Sequence, residues 1–164
     1  MTVPVPSGLD VVSGCAMYLA AQSVLTDLLG KFDSDGTPYL FQDEIRLAVL
    51  ETTQEAALVV GDGGSWGSGN EHNTMEFPRI RIELYVDPIR DSLHNELERS
   101  ETMRRGRAIW KVVDSLLHRP QGGTQMWGSV RTLSCVKLAR PEPYPVSDGN
   151  GMLRFMGFFA VAEG

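Results

Sequence analysis

Residues Arg79 to Val86 read RIRIELYV, in which Ile80, Ile82, Leu84 and Val86 alternate with Arg79, Arg81, Glu83 and Tyr85. In an extended chain successive side chains point to opposite sides, so this spacing puts four aliphatic groups on one face and charged or phenolic groups on the other. A helix would scatter both sets around its circumference. The segment is therefore a strand with one packed face, and its second face meets water or a partner. Asp87-Pro88 ends it. The rest of the chain must cover its apolar side.

Two segments have the spacing to do so. From Leu9 to Leu29, apolar residues fall at Val12, Cys15, Ala16 and Leu19 and again at Val24, Leu25, Leu28 and Leu29. Spacings of three and four predict a helix, with Asp10 or Ser13 as its cap and Gly30 as its stop. Asn95 with Glu98 resembles a capping box, and the helix it opens carries Ile109, Val112, Val113, Leu116 and Leu117 as a stripe, ended by Pro120 and Gly122-Gly123. Between these segments KFDSDGTPY is turn material, and Tyr39 to Gln54 fits either a short strand or helical turns.

Strands account for most of what remains. Ala56 to Val60, AALVV, suits a buried strand. Ser129 to Leu138 and Met152 to Val161 are two more, joined by the proline-rich ARPEPYPVSDGNG. In the last strand Leu153, Phe155, Phe159 and Val161 share one face while Met152, Met156, Phe158 and Ala160 share the other, interrupted by Arg154. A strand apolar on both sides is central beneath a helix or covered by another subunit. The expected fold is α+β: a small antiparallel or mixed sheet packed with two main helices, with a long loop before the central strand. At 164 residues the chain suits one domain over its whole length.

That long loop holds GGSWG, which fits the G-x-S-x-G pattern around a nucleophilic serine. The pattern works only where a strand turns sharply into a helix. After Ser65 come Trp66, Gly67, Ser68, Gly69 and Asn70, which favour a loop, so the hydrolase reading is a distant alternative. His72, His94 and His118 stand at no metal-ligand spacing, and the glycines lack the Lys-Ser or Lys-Thr of a phosphate-binding loop. No cofactor or metal is expected, and no enzymatic activity. Cys15 and Cys135 each lie in an apolar segment and read as small buried thiols.

Charge narrows the partners. A formal charge of −6 argues against broad duplex binding, although Arg104-Arg105-Gly106-Arg107 forms a short basic cluster. Residues 1–62 carry nine acids and two bases, and residues 63–164 twelve acids and thirteen bases, so the chain can show an acidic and a mixed surface to different neighbours. No apolar run reaches membrane-spanning length, and MTVPVPSGLD shows no basic-then-apolar leader, so a cytosolic origin is expected. A long glycine-hinged loop with aromatic anchors suits a segment that grips a neighbouring subunit, or equally one whose Trp66 folds back over its own core. The expected interface residues are Trp66, Asn70, His72, Asn73, Met75 and Phe77 in the loop, with Arg79, Arg81, Glu83 and Tyr85 on the strand's outer face.

Four phrases together resemble one family. AMYLAAQSVLTDLLG, the GGSW segment followed by EHNTMEFPRIRIELYVDPIRD, MWGSVRTLSC and DGNGMLRFMGFFAV are similar to tail terminator proteins of long-tailed bacteriophages of actinobacterial hosts, over most of the chain. The resemblance implies a small α/β subunit that forms a ring, usually a hexamer, on the head-proximal end of the tail tube. Such a ring stops tube polymerisation and offers the surface to which the filled head joins. Its partners would be further copies of itself, the major tail tube protein and a neck or head-completion protein, with DNA only passing through the lumen and no membrane. It would reside in the virion at the tail-neck junction after assembly in the host cytoplasm. Other neck proteins, such as connectors, stoppers or head-completion subunits, are the alternative.

Overall fold

The strand read from RIRIELYV is the C-terminal part of a longer one, β3 (Met75–Val86), which pairs antiparallel with β2 (Ala56–Ser68) in a long ribbon. The computed structural model describes residues 7–31, 36–42, 56–68, 75–88, 99–139, 144–145 and 152–164. Of these, Ser7 to Asp10, Trp66, Ser68, Met75, Glu76, Tyr144 and Pro145 are described by their backbone alone. The other elements are α1 (Ser7–Ala20), α2 (Ser23–Thr26), β1 (Leu40–Gln42), α3 (Arg99–Leu117), β4 (Gln125–Trp127), β5 (Val130–Lys137), β6 (Tyr144–Pro145) and β7 (Leu153–Glu163).

One mixed sheet of seven strands runs β1-β2-β3-β7-β5-β4, with β6 also paired to β7. Every pairing is antiparallel except β1 with β2. The α+β class read from the sequence is the fold observed. Central β7 lies between β3 and β5; its Leu153, Phe155, Phe159 and Val161 are buried under the helices, whereas Arg154, Met156 and Phe158 on its other face are only partly buried.

Both main helices cover the same face. Ile80, Ile82, Leu84 and Val86 of β3 and Leu153, Phe155, Phe159 and Val161 of β7 join Val11, Val12, Cys15 and Leu19 of α1 and Ile109, Val113 and Leu117 of α3 in one buried cluster. Helix α3 crosses β7 in contact with its backbone. A Cβ on Gly106 would stand 2.2 Å from the Phe155 ring, and one on Gly157 would stand 2.6 Å from Trp110, so both sites need hydrogen for a side chain. At the sheet's other end Tyr18 stacks on fully buried Trp127, 6.0 Å between ring centroids. Trp127 Nε1 donates to Gln125 Oε1 at 2.8 Å, and Gln125 Nε2 donates to the Tyr18 hydroxyl at 2.8 Å. This relay satisfies the polar ends of two large rings in the core.

Three sequence expectations change. The single helix from Leu9 to Leu29 is broken at Ala21-Gln22, where Gln22 takes an extended conformation and its Nε2 donates to the Tyr18 carbonyl at 3.1 Å. The break re-aims the turns beyond it: Leu25 and Leu29 are buried, but Val24 and Leu28 are exposed. The glycine-rich stretch is not loop as far as Ser68; it continues β2, with a register shift between Asp62 and Ser65. The strand expected at Ser129 is preceded by a short one, β4, through a turn in which Gly128 has φ 60°. The proposed capping box of Asn95 and Glu98 lies outside the described residues, as does most of Tyr39 to Gln54, where β1 is the strand alternative realised.

Candidate assembly interface

The sheet's second face, turned away from both helices, carries the charged set. Arg79, Arg81 and Glu83 stand on it as the alternation requires, with Arg154, Met156 and Phe158 of β7 beside them through the pairs Tyr85↔Arg154, Glu83↔Met156 and Arg81↔Phe158. Glu83 is the shared anion. Its carboxylate lies 3.4 Å from Arg81 Nε and 4.0 Å from Arg154, and it accepts the Tyr85 hydroxyl at 2.9 Å. Two guanidinium groups thus flank one carboxylate, and Arg79 adds a third cation to the same face, leaving a local surplus of positive charge.

Tyr85 differs from its companions. It is 7% exposed and packs with Ala57, Val59 and Met152, flanked by Tyr39 and Phe41, in a second small apolar cluster. Arg79, Arg81 and Glu83 are therefore the partly exposed members of the expected set, the Glu83 side chain at only 13%, and Tyr85 is held within the chain. Burial, followed by the hydrogen bond to Glu83, pushes the Tyr85 phenol up from its ordinary value. It stays a neutral donor that fixes the carboxylate.

The glycines of β2 make room for the arginines of β3. Arg79 lies over the Phe158 ring, 4.5 Å from its centroid, and its Nε donates to the Gly63 carbonyl. A Cβ on Gly63 would sit 2.8 Å from the Arg79 carbonyl and 3.0 Å from Phe158. Gly64 takes φ 81° in the bulge, and its N–H donates to Asp62 Oδ1 at 2.8 Å. Arg81 reaches back to the Asp62 carbonyl at 3.3 Å.

Past the bulge the ribbon runs on by itself among the described residues. Within them β1 pairs with β2 at Leu58, Val59 and Val60, and β7 pairs with β3 from Arg79 to Val86. The pairs Ser65↔Pro78, Trp66↔Phe77, Gly67↔Glu76 and Ser68↔Met75 have no third strand beside them among the described residues. Four rows at about 3.3 Å each extend it by about 13 Å. Pro78, lacking an N–H, falls on the first row beyond β7, where its missing donor removes no bond to β7. Of the expected loop residues, Trp66, Met75 and Phe77 are brought together on this ribbon, whereas Asn70, His72 and Asn73 lie outside the described residues.

Sequence reasoning passed over Arg154, Met156 and Phe158 as parts of this face. Arg154 was the available signal, since one cation interrupting an apolar alternation marks the side that is not core.

Ser65 is exposed in a strand that runs on to Ser68, so no strand-to-helix elbow forms around it. Both thiols are sealed: burial raises Cys15 well above its ordinary value and Cys135 to about 12. Among the described residues no three His, Cys, Asp or Glu side chains converge as metal ligands, and no helix is long and apolar enough to cross a membrane.

The same fold occurs in a chain of the solved structure "Virion of native gene transfer agent (GTA) particle", with a TM-score of 0.57 and 16% identity, over 94% of this chain and 95% of that one. No family model and no curated protein matches the sequence.

Proposed function

We propose that this chain is a structural subunit of a phage-type particle and, within that class, a tail terminator. In this reading copies join head to tail into a ring, usually a hexamer, that caps the head-proximal end of the tail tube. The ring ends tube growth and presents the surface for the neck or head-completion protein, while DNA passes only through its lumen.

The observation that carries the proposal is the ribbon beyond the bulge. A two-stranded ribbon in water is marginal by itself, and this one has open backbone edges on both sides among the described residues. Such an element gains its stability by lying against something else, as strand addition or a packed arm. A closed ring of identical subunits needs two unlike complementary patches on each, and a projecting ribbon beside an arginine-rich face supplies unlike surfaces. The virion origin of the chain that shares the fold supports a particle role. Trp66, Asn70, His72, Asn73, Met75, Phe77, Arg79, Arg81 and Glu83 are the proposed contacts.

The test mixes purified protein with polymerising tail tube protein and images the products by negative stain. Rings, and tubes arrested at one end, are expected from the native chain. A variant with residues 65–78 replaced by a short turn should remain folded by circular dichroism yet form neither. Native protein that leaves tube length unchanged overturns the terminator role, and rings that bind a neck protein but not the tube would assign it to the neck instead.

A further inference from the structure

Helix α3 has a second surface of its own. Thr102, Gly106, Ile109, Trp110, Val113 and Leu117 are its buried residues, and Ser100, Arg104, Arg107 and Lys111 are exposed. The exposed four stand three or four residues apart, which sets them in one stripe about 16 Å long from end to end. Glu101 holds Arg104 at 2.9 Å and offsets one charge. From residue 99 to residue 111 the chain carries five bases, Arg99, Arg104, Arg105, Arg107 and Lys111, against that single acid. The stripe is also indented: Ser100, Met103, Arg104 and Arg107 border an open hollow of about 310 Å³, with the Met103 side chain as its apolar member. That volume is at the small end for ligand pockets and suits protruding side chains of a partner.

We infer that this stripe receives the acidic first third of a neighbouring copy of the chain. Residues 1–62 hold nine acids and two bases, so what the stripe lacks the other end of the same sequence supplies. Among the described acids there, Asp27 is 70% exposed at its side chain while lying 3.5 Å from Lys31 of its own chain, and Asp62 is exposed. Unlike patches on one chain attract each other while like patches repel, a pairing that a head-to-tail ring satisfies at every joint. The inference rests on the assembly reading above and adds the contact that sets direction. A duplex is the competing occupant, and the net charge of −6 works against it.

Zero-length carbodiimide cross-linking tests this, because it joins a lysine amine only to a carboxylate in contact with it. The chain has three lysines, Lys31, Lys111 and Lys137. In protein assembled from equal light- and heavy-isotope chains, Lys111 should appear joined to an acid of residues 1–62 in mixed light-heavy peptides. Native mass spectrometry of R104E/R107E, with the neutral R107Q/K111Q as a folding-safe second variant, should show self-association weakened about tenfold or more by the reversal and less by neutralisation. Lys111 joined only to acids beyond residue 62, or only within its own chain, overturns the contact, as does a reversal variant that assembles like the native chain. A reversal variant that keeps assembling but loses binding to a short labelled duplex assigns the stripe to DNA. If tubes are capped without the Lys111 link, this contact falls and the terminator reading stands; if the native chain never self-associates, ring and contact fall together.

Discussion

From Ala56 to Val60, strand β2 is buried on both faces, no residue more than 1% exposed, with β1 on one side and β3 on the other. From Ser65 to Ser68 the same strand has only β3 beside it among the described residues and consists of small or polar residues apart from Trp66. Each fully buried valine or leucine of the near half contributes on the order of 1.5–3 kcal/mol through its removal from water. A glycine or serine of the far half has almost no apolar surface to bury. One strand therefore divides its work: one end holds the fold together, and in the proposed assembly the other is left for contact. The register shift at Asp62 marks the boundary.

If that division holds, substitutions should separate cleanly. The largest effect is expected at Ile82, which pairs with Val60 in the near half and is fully buried. Ile82→Ala should lower stability by about 2–5 kcal/mol in denaturant unfolding, from lost burial and the cavity left behind. A smaller loss would mean that the near half is less tightly held than its burial indicates. Gly106→Ala sets two effects in opposition: helix propensity favours alanine by about 1 kcal/mol, but the new Cβ would strike the Phe155 ring at 2.2 Å. Overpacking should win, with a net loss of about 1–3 kcal/mol.

Alkaline pH probes the same core without mutation. Burial holds both thiols protonated, Cys135 up to about 12 from its ordinary 9.0, so the folded state binds those protons more tightly than the unfolded chain. Stability from this source is full below pH 9.0 and is lost as pH rises from there toward about 12. The slope should approach about 1.4 kcal/mol per pH unit for each thiol, and the denaturation midpoint of Cys135→Ala should fall less steeply over that range.

The boundary itself is tested by a double-mutant cycle on Arg79 and Phe158. The stacked pair should show a coupling of about 0.5–1 kcal/mol in unfolding. Least affected should be the far half: replacing residues 65–78 with a short turn should move unfolding by about 0.5 kcal/mol or less, while abolishing assembly. A large loss of monomer stability from that cut would end the comparison.

The elements legible in the sequence are those with local causes. The alternation in β3 and the stripe along α3 can be read because one periodicity governs each and every apolar member meets the same core. Helix α1 is overrun because Gln22 hydrogen-bonds back to Tyr18, a local choice that periodicity does not register. The glycines at 61–64 read as loop because low strand propensity is a property of single residues. In the fold they are strand because side chains fifteen or more residues away, Arg79 and Arg81, lie across them. The outer-face cluster around Tyr85 likewise depends on Ala57 of β2 and on Met152, just before β7, arriving from elsewhere in the chain. Pairings between distant segments decide both, and spacing along the chain carries no record of them.

The sealed thiols have a practical consequence for any laboratory handling this protein. With Cys15 and Cys135 both fully buried and undissociated, maleimide reagents find almost no thiolate to attack on the folded chain. A cysteine introduced at the solvent surface would then be the sole labelling point among the three, so that fluorophores or spin labels can be attached one per molecule without first stripping out the native pair.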